Sequence, residues 1–233
     1  MTRTSLQVPV EYLPTTADRI PCFLPVLCDF IRKNITSEGI FRKNGNKEKI
    51  KRINIALSQH VPKIPDDVDI DDVAGFLKTW LFKLPVPLIP ESIYNQSYIP
   101  NDADSVITLV ERLPLVNRRC LAVILSIFKA VIDNQNQNKM TMSNLAICVV
   151  PALTHNSNAY TVPFQFETIY SKCVSHFNKD ESDFEFKTHD VCPRLNNYIP
   201  RARMQSRRIH DWKRQNIQFY SKEELESIST ENT

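Results

Sequence analysis

The chain has 233 residues, 42% of them hydrophobic and 24% charged, with a formal net charge of +3. That composition belongs to an ordinary globular protein with one sizeable core, and a charge so mild excludes nucleic acid as the expected partner. No uninterrupted apolar stretch approaches the roughly 18–20 residues of a membrane span, and residues 1–12 lack the hydrophobic block of a secretory signal, so the expected compartment is the cytoplasm.

Only three glycines occur, and apolar residues recur at three- and four-residue spacing, which predicts packed helices, about seven to nine, and no hairpin. From Ile20, the stripe of Phe23, Leu24, Leu27, Phe30 and Ile31 predicts a first helix ending near Asn34. A second is expected to start at Asn46, a good N-cap, and to run through Ile50, Ile53 and Leu57 to about Gln59, before Pro62 and Pro65. Asp69–Asp72 put carboxylates at the positive end of the next helix, whose stripe is Val73, Phe76, Leu77, Trp80, Leu81 and Leu84; Pro85 and Pro87 end it. Further helices are predicted over 105–113, over 117–132 with Leu121, Ile124, Leu125, Phe128 and Val131 aligned, and over 141–150. A last one carries Phe166, Ile169, Tyr170, Cys173, Val174 and Phe177.

After Phe177 the chain turns polar and acidic, which places a domain over 6–177 and a C-terminal extension over 178–233. The segment 201–214 holds Arg201, Arg203, Arg207, Arg208, Lys213 and Arg214 around Met204, Ile209 and Trp212. It reads either as a solvated or partly docked terminal helix or as a basic amphipathic helix that meets an anionic membrane.

Enzyme signatures are missing: no P-loop, no G-x-G-x-x-G, no nucleophile elbow and no H-E-x-x-H occur. The acidic cluster of Asp66, Asp67, Asp69, Asp71 and Asp72 lacks the glycine and distal glutamate of a calcium loop and reads as a helix N-terminus. The five histidines have no metal-ligand spacing, so no metal site is expected. The six cysteines, at 22, 28, 120, 148, 173 and 192, form no C-x-x-C pair and are expected to be reduced core thiols. What stands out is Arg42, flanked by Gly39 and Gly45, in a loop anchored by Ile40 and Phe41. Taken alone, it reads more readily as a surface arginine in a minor salt bridge.

The string Glu38-Gly39-Ile40-Phe41-Arg42-Lys43-Asn44-Gly45 resembles the E-G-[IL]-[FY]-R-x-x-G segment of RhoGAP domains, the activators of Rho-type GTPases. Three more blocks follow in order. Val73 to Leu88 is similar to the family's L-K-x-x-L-R-x-L-P-x-P-L, with Lys78 at its lysine. Leu113-Pro114 with Asn117 and Leu121 resembles L-P-x-x-N-x-x-x-L. Asn138-Lys139-Met140 through Asn144-Leu145-Ala146 resembles N-K-M-x-x-x-N-L-A, with Pro151 after it. Val8-Pro9-Val10 resembles the opening G-V-P-L, so the likeness covers roughly Leu6 to Phe177.

The resemblance implies an all-α RhoGAP-like bundle and an activator rather than an enzyme in its own right. It makes Arg42 the arginine finger, with Lys78 and Asn144 beside it as GTPase-binding residues. The implied partner is a Rho-family small GTPase in its GTP-bound state. GTP and magnesium then belong to that partner, and the chain needs no cofactor. Lys78 lies outside its helix's apolar stripe, consistent with facing a partner. Three positions depart from the pattern: Phe82 stands at the usual arginine, Val86 at the glutamate between the prolines, and Val150 at the glycine before Pro151. Loss of that arginine keeps a second expectation open, a RhoGAP-like module that binds a GTPase without stimulating it.

Overall fold

The computed structural model describes residues 8–59, 61–90, 103–155 and Tyr170. Among them are seven α-helices and no β-strand: α1 (Phe23–Lys33), α2 (Lys47–Leu57), α3 (Ile70–Phe82), α4 (Ala103–Arg112), α5 (Leu115–Asp133), α6 (Gln135–Asn138) and α7 (Met142–Thr154). A short 3-10 turn at Val10–Tyr12 precedes them and packs on α5. The last expected helix, the 177/178 boundary and the basic 201–214 segment lie outside the described residues, apart from Tyr170, which is buried.

The helix starts follow capping chemistry. Asn46 accepts from the backbone N–H of Glu48 and Lys49, so α2 begins where its side chain satisfies two orphan donors. Asp69 and Asp72 form a reciprocal capping box at the start of α3. α7 begins after Thr141, whose hydroxyl accepts from the Asn144 N–H at 3.3 Å. It then continues past Val150 to Thr154, further than the sequence pattern suggests, with Pro151 inside it. The carbonyl robbed of a donor is that of Ile147, an exposed residue, so the interruption falls on the helix's solvent side. α6 is a single four-residue turn that the periodicity does not reveal.

α3 is the centre of the bundle and packs on α1, α2 and α7, while α1 also packs on α5. Its stripe of Val73, Phe76, Leu77, Trp80 and Leu81 is fully buried. Phe23 of α1 meets Phe76 and Trp80 edge-on, with centroids 6.1 and 5.0 Å apart. Each such ring removes apolar surface worth about 1.5–3 kcal/mol, before the T-shaped contact is counted.

The cysteines only partly match expectation. Cys28 and Cys120 are buried free thiols and Cys148 is half-buried and free. Cys22 is disulfide-bonded, which corrects its reading as a reduced core thiol. It stands at the N-cap of α1 and is half-buried rather than part of the core stripe, so it is open to pairing.

Candidate functional site

The loop between α1 and α2 is built to expose one side chain. Gly39 has φ +75, a conformation that side chains resist, and a Cβ there would lie 3.2 Å from the Lys43 side chain. Its carbonyl accepts from the N–H groups of Arg42 at 2.9 Å and Lys43 at 3.0 Å, which closes a tight turn. Ile40 and Phe41 inside that turn are fully buried. Phe41 packs its ring edge-on to Phe128 of α5, with centroids 5.5 Å apart.

Phe41 itself has φ +66, rare for a bulky residue. The left-handed conformation costs about 1–2 kcal/mol, and burying a phenylalanine returns about 1.5–3 kcal/mol, so the ring can hold the backbone in that state. The next residue is Arg42, which is exposed. Among the described residues no carboxylate pairs with it.

Both roots of the loop are pinned. At the first, the Gly39 N–H donates to the Asn138 carbonyl at 2.8 Å. Asn138 is fully buried, and its side chain donates to the carbonyls of Ile35 at 3.0 Å and Val131 at 2.8 Å while accepting from the Met140 N–H at 2.9 Å. Through its side-chain amide and its backbone carbonyl, Asn138 thus ties the end of α1, the end of α5 and the approach to α7 to the turn that carries Arg42. At the second root, a Cβ on Gly45 would lie 2.6 Å from the Asp71 carbonyl oxygen and from the Asp72 Cα, so only glycine lets this strand of loop lie against α3.

Asp72 completes the second clamp. Its buried carboxylate accepts from the backbone N–H of Asn46 at 2.7 Å and of Asp69 at 3.1 Å, and pairs with Lys49 at 3.1 Å. Burial pushes the Asp72 carboxyl up, but those backbone donors and the Lys49 ammonium outweigh it and hold it below the usual carboxylate range.

Lys78, one of the expected partner-facing residues, lies on α3 outside the buried stripe and is half-buried. Its Nζ donates to the Phe41 carbonyl at 2.5 Å, directly behind Arg42. Burial pushes this ammonium below its ordinary value, and negative charge on Asp71, or on an ionised Cys148 sulfur, acts in the opposite direction without overcoming it. α3 packs on α7, and Cys148 lies one turn beyond Asn144 on the same side of that helix. Asn144 is half-buried, and among the described residues its side-chain amide has no hydrogen-bond partner. Arg42 and Lys78 are therefore joined by one backbone carbonyl, and Asn144 stands on α7, the helix that packs on α3.

Phe82, four residues after Lys78, is 61% exposed. The sequence singled out Arg42, Lys78 and Asn144, gave Phe41 the part of a loop anchor and Asp72 that of a helix N-terminal carboxylate, and assigned no role to Asn138. Asn138 stands in the quoted N-K-M block, and the pairing of Asp69 with Asp72 at capping-box spacing marks the other clamp. Nothing local marks Phe41 for positive φ. Among the described residues no three of His, Cys, Asp and Glu group as a metal site, and no helix is long and apolar enough to cross a membrane.

The chain matches the family model for the RhoGAP domain over residues 21–158, more than half its length. It is 28% identical over 167 residues to the Rho GTPase-activating protein gacA of Dictyostelium discoideum, covering 71% of this chain and 48% of that protein. To Rho GTPase-activating protein 35 of Rattus norvegicus it is 26% identical over 176 residues, 70% of this chain but 12% of that protein. The chain thus spans about half or less of these relatives. The crystal structure of human Rho GTPase activating protein 15 superimposes with a TM-score of 0.59 at 25% identity, covering 69% of this chain and 83% of that one. The BH domain of Graf, the GTPase regulator associated with focal adhesion kinase, gives 0.57 at 24%, covering 67% and 91%.

Proposed function

We propose, proceeding from the fact that this chain belongs to the RhoGAP domain family, that it activates GTP hydrolysis by a Rho-family small GTPase and that Arg42 is the finger it inserts. The observation that carries the reading is an exposed guanidinium without a carboxylate partner among the described residues, on a turn held at both roots and from behind. Transfer of a phosphoryl group to water spreads negative charge over the transferring group and the leaving oxygen. A planar guanidinium, charged at every relevant pH, donates to two oxygens at once, which an ammonium does less well.

In this reading Lys78 holds the Phe41 carbonyl and so aims the tip, and the unpartnered amide of Asn144 meets the GTPase surface beside it. The nucleotide and its magnesium are the GTPase's, the chain supplies no cofactor, and the encounter takes place in the cytoplasm. Fingers given in trans accelerate hydrolysis by about 10³–10⁵. Single-turnover hydrolysis across a panel of GTP-loaded Rho-type GTPases tests the assignment. Arg42→Ala removes acceleration by that order while complex formation persists; equal rates with variant and wild type would defeat it.

A second reading, a module that holds a GTPase without stimulating it, is favoured by Phe82 at the family's arginine position. Complex formation with no rate change by the wild-type chain selects it in the same assay.

A further inference from the structure

Phe82 ends α3 one helical turn beyond Lys78, on the same side of the helix, and is 61% exposed. On α7, Ile147 is 57% exposed and stands three residues after Asn144. A single exposed apolar side chain is ordinary. These two differ in where they stand and, for Phe82, in how firmly it is held.

Four helical residues rise about 6 Å. A stable interface covers about 800 Å² on each partner, a disc of about 16 Å radius. A protein that seats its nucleotide against Arg42, whose neighbour Phe41 is bonded to Lys78, therefore also covers Phe82. Phe82 is held in place before any partner arrives. Its ring lies against the His155 imidazole, with centroids 5.7 Å apart, and His155 Nε2 lies 3.0 Å from the Leu81 carbonyl oxygen. A carbonyl only accepts, so this bond fixes Nε2 as the protonated nitrogen and pins the imidazole to the end of α3. An aromatic ring braced in this way loses little freedom on binding, which is the usual property of an interface anchor.

Resting on the function proposed above, we infer that Phe82, braced by His155 and accompanied by Ile147 beside Asn144, is the apolar anchor of the GTPase-docking face. The occupant is a GTP-bound GTPase that presents an aliphatic or aromatic side chain to Phe82. A cationic residue at position 82 would instead suit a carboxylate. The anchor sets affinity and partner choice and leaves the chemistry to Arg42.

The test titrates the full chain into whichever GTP-loaded Rho-type GTPase the wild type activates best, reading single-turnover rate against concentration. Phe82→Ala raises the half-saturating concentration about tenfold, as loss of an anchor does, and keeps the plateau rate. Phe82→Leu stays near wild type, and both variants keep the wild-type melting temperature. Phe82→Arg makes the half-saturating concentration rise more steeply with salt. The inference is overturned by a Phe82→Ala titration that matches wild type, or by one that lowers the plateau at unchanged half-saturation. Concentration-dependent self-association of the chain that Phe82→Ala abolishes would also overturn it, since the patch would then serve a second copy. A wild-type chain that engages no GTPase sinks both this inference and the function beneath it, whereas a silent Phe82 variant of an active chain sinks the anchor alone.

Discussion

Replacing Lys78 by methionine separates stability from activation in a way the geometry quantifies. Methionine keeps an apolar stem of similar length and deletes the donor that reaches the Phe41 carbonyl at 2.5 Å. A hydrogen bond from a charged group contributes about 1.5–3 kcal/mol. Set against this, burial depresses the Lys78 pKa, so folding carries a desolvation cost for the ammonium that Lys78→Met removes. The two effects oppose each other, and the unfolding free energy is expected to stay within about 1 kcal/mol of wild type near neutral pH.

The same depression fixes a sign. Between the lowered folded value and the ordinary one near 10.4, the unfolded chain binds more protons than the folded chain, so Lys78 makes wild-type stability rise with pH there. Lys78→Met lacks that alkaline gain. Activation behaves differently. Phe41 sits in a conformation costing about 1–2 kcal/mol, and the Lys78 bond is of the size that keeps its carbonyl in place. Released, the turn can move Arg42 by an ångström, a displacement that costs about 10²-fold in well-aligned catalysis. Urea unfolding at pH 7 and pH 10, paired with single-turnover hydrolysis at saturating chain, measures both. A Lys78→Met chain that keeps the full plateau rate would refute the positioning role, and one destabilised by more than about 2 kcal/mol would refute the balance of bond and desolvation.

Asn138→Ala removes two donated bonds and one accepted bond from a site closed to water. At about 1 kcal/mol each, urea unfolding is expected to show a loss of about 3 kcal/mol, with weaker activation because the Gly39 root loosens. A loss under about 1 kcal/mol would mean the amide is not the tie described. For Asp72, the folded pKa lies below the unfolded one, so its stabilisation is full above about pH 4 and fades as pH falls through the lowered value. Urea midpoints from pH 5 downward should therefore fall more steeply for wild type than for Asp72→Asn, and parallel slopes would contradict the clamp.

Helix placement was largely legible because it rests on local chemistry. Asn46 and Asp69 announce the starts of α2 and α3 through their own side chains, and the five-residue core of the α3 stripe is buried as its spacing predicts. The reading faltered where a local rule met a tertiary exception. Pro151 breaks helices in general, yet α7 runs through it because the lost bond is on the solvent side. The site was legible as a list of residues more than as a mechanism. Rotation about α3 placed Lys78 off the core, but its bond to a carbonyl 37 residues earlier depends on how the Arg42 turn packs. Phe41's left-handed backbone has no signature in its residue type, since burial against Phe128 imposes it.

The division of rigidity across this loop also bears on the finger role proposed for Arg42. The backbone around Arg42 is fixed by contacts from α3, α5 and the residue that ends α6, so the Cα needs no search when a GTPase docks. The guanidinium, by contrast, makes no ion pair with the described residues. Had it been locked to a carboxylate, the free chain would hold a stabilised ground state, and every encounter would first have to break that pair before a phosphate could be met. In the finger role proposed for it, Arg42 therefore has no ion pair with the described residues to give up before it meets a phosphate oxygen. An acidic residue introduced beside the tip would therefore be expected to slow activation through the same arginine it leaves in place.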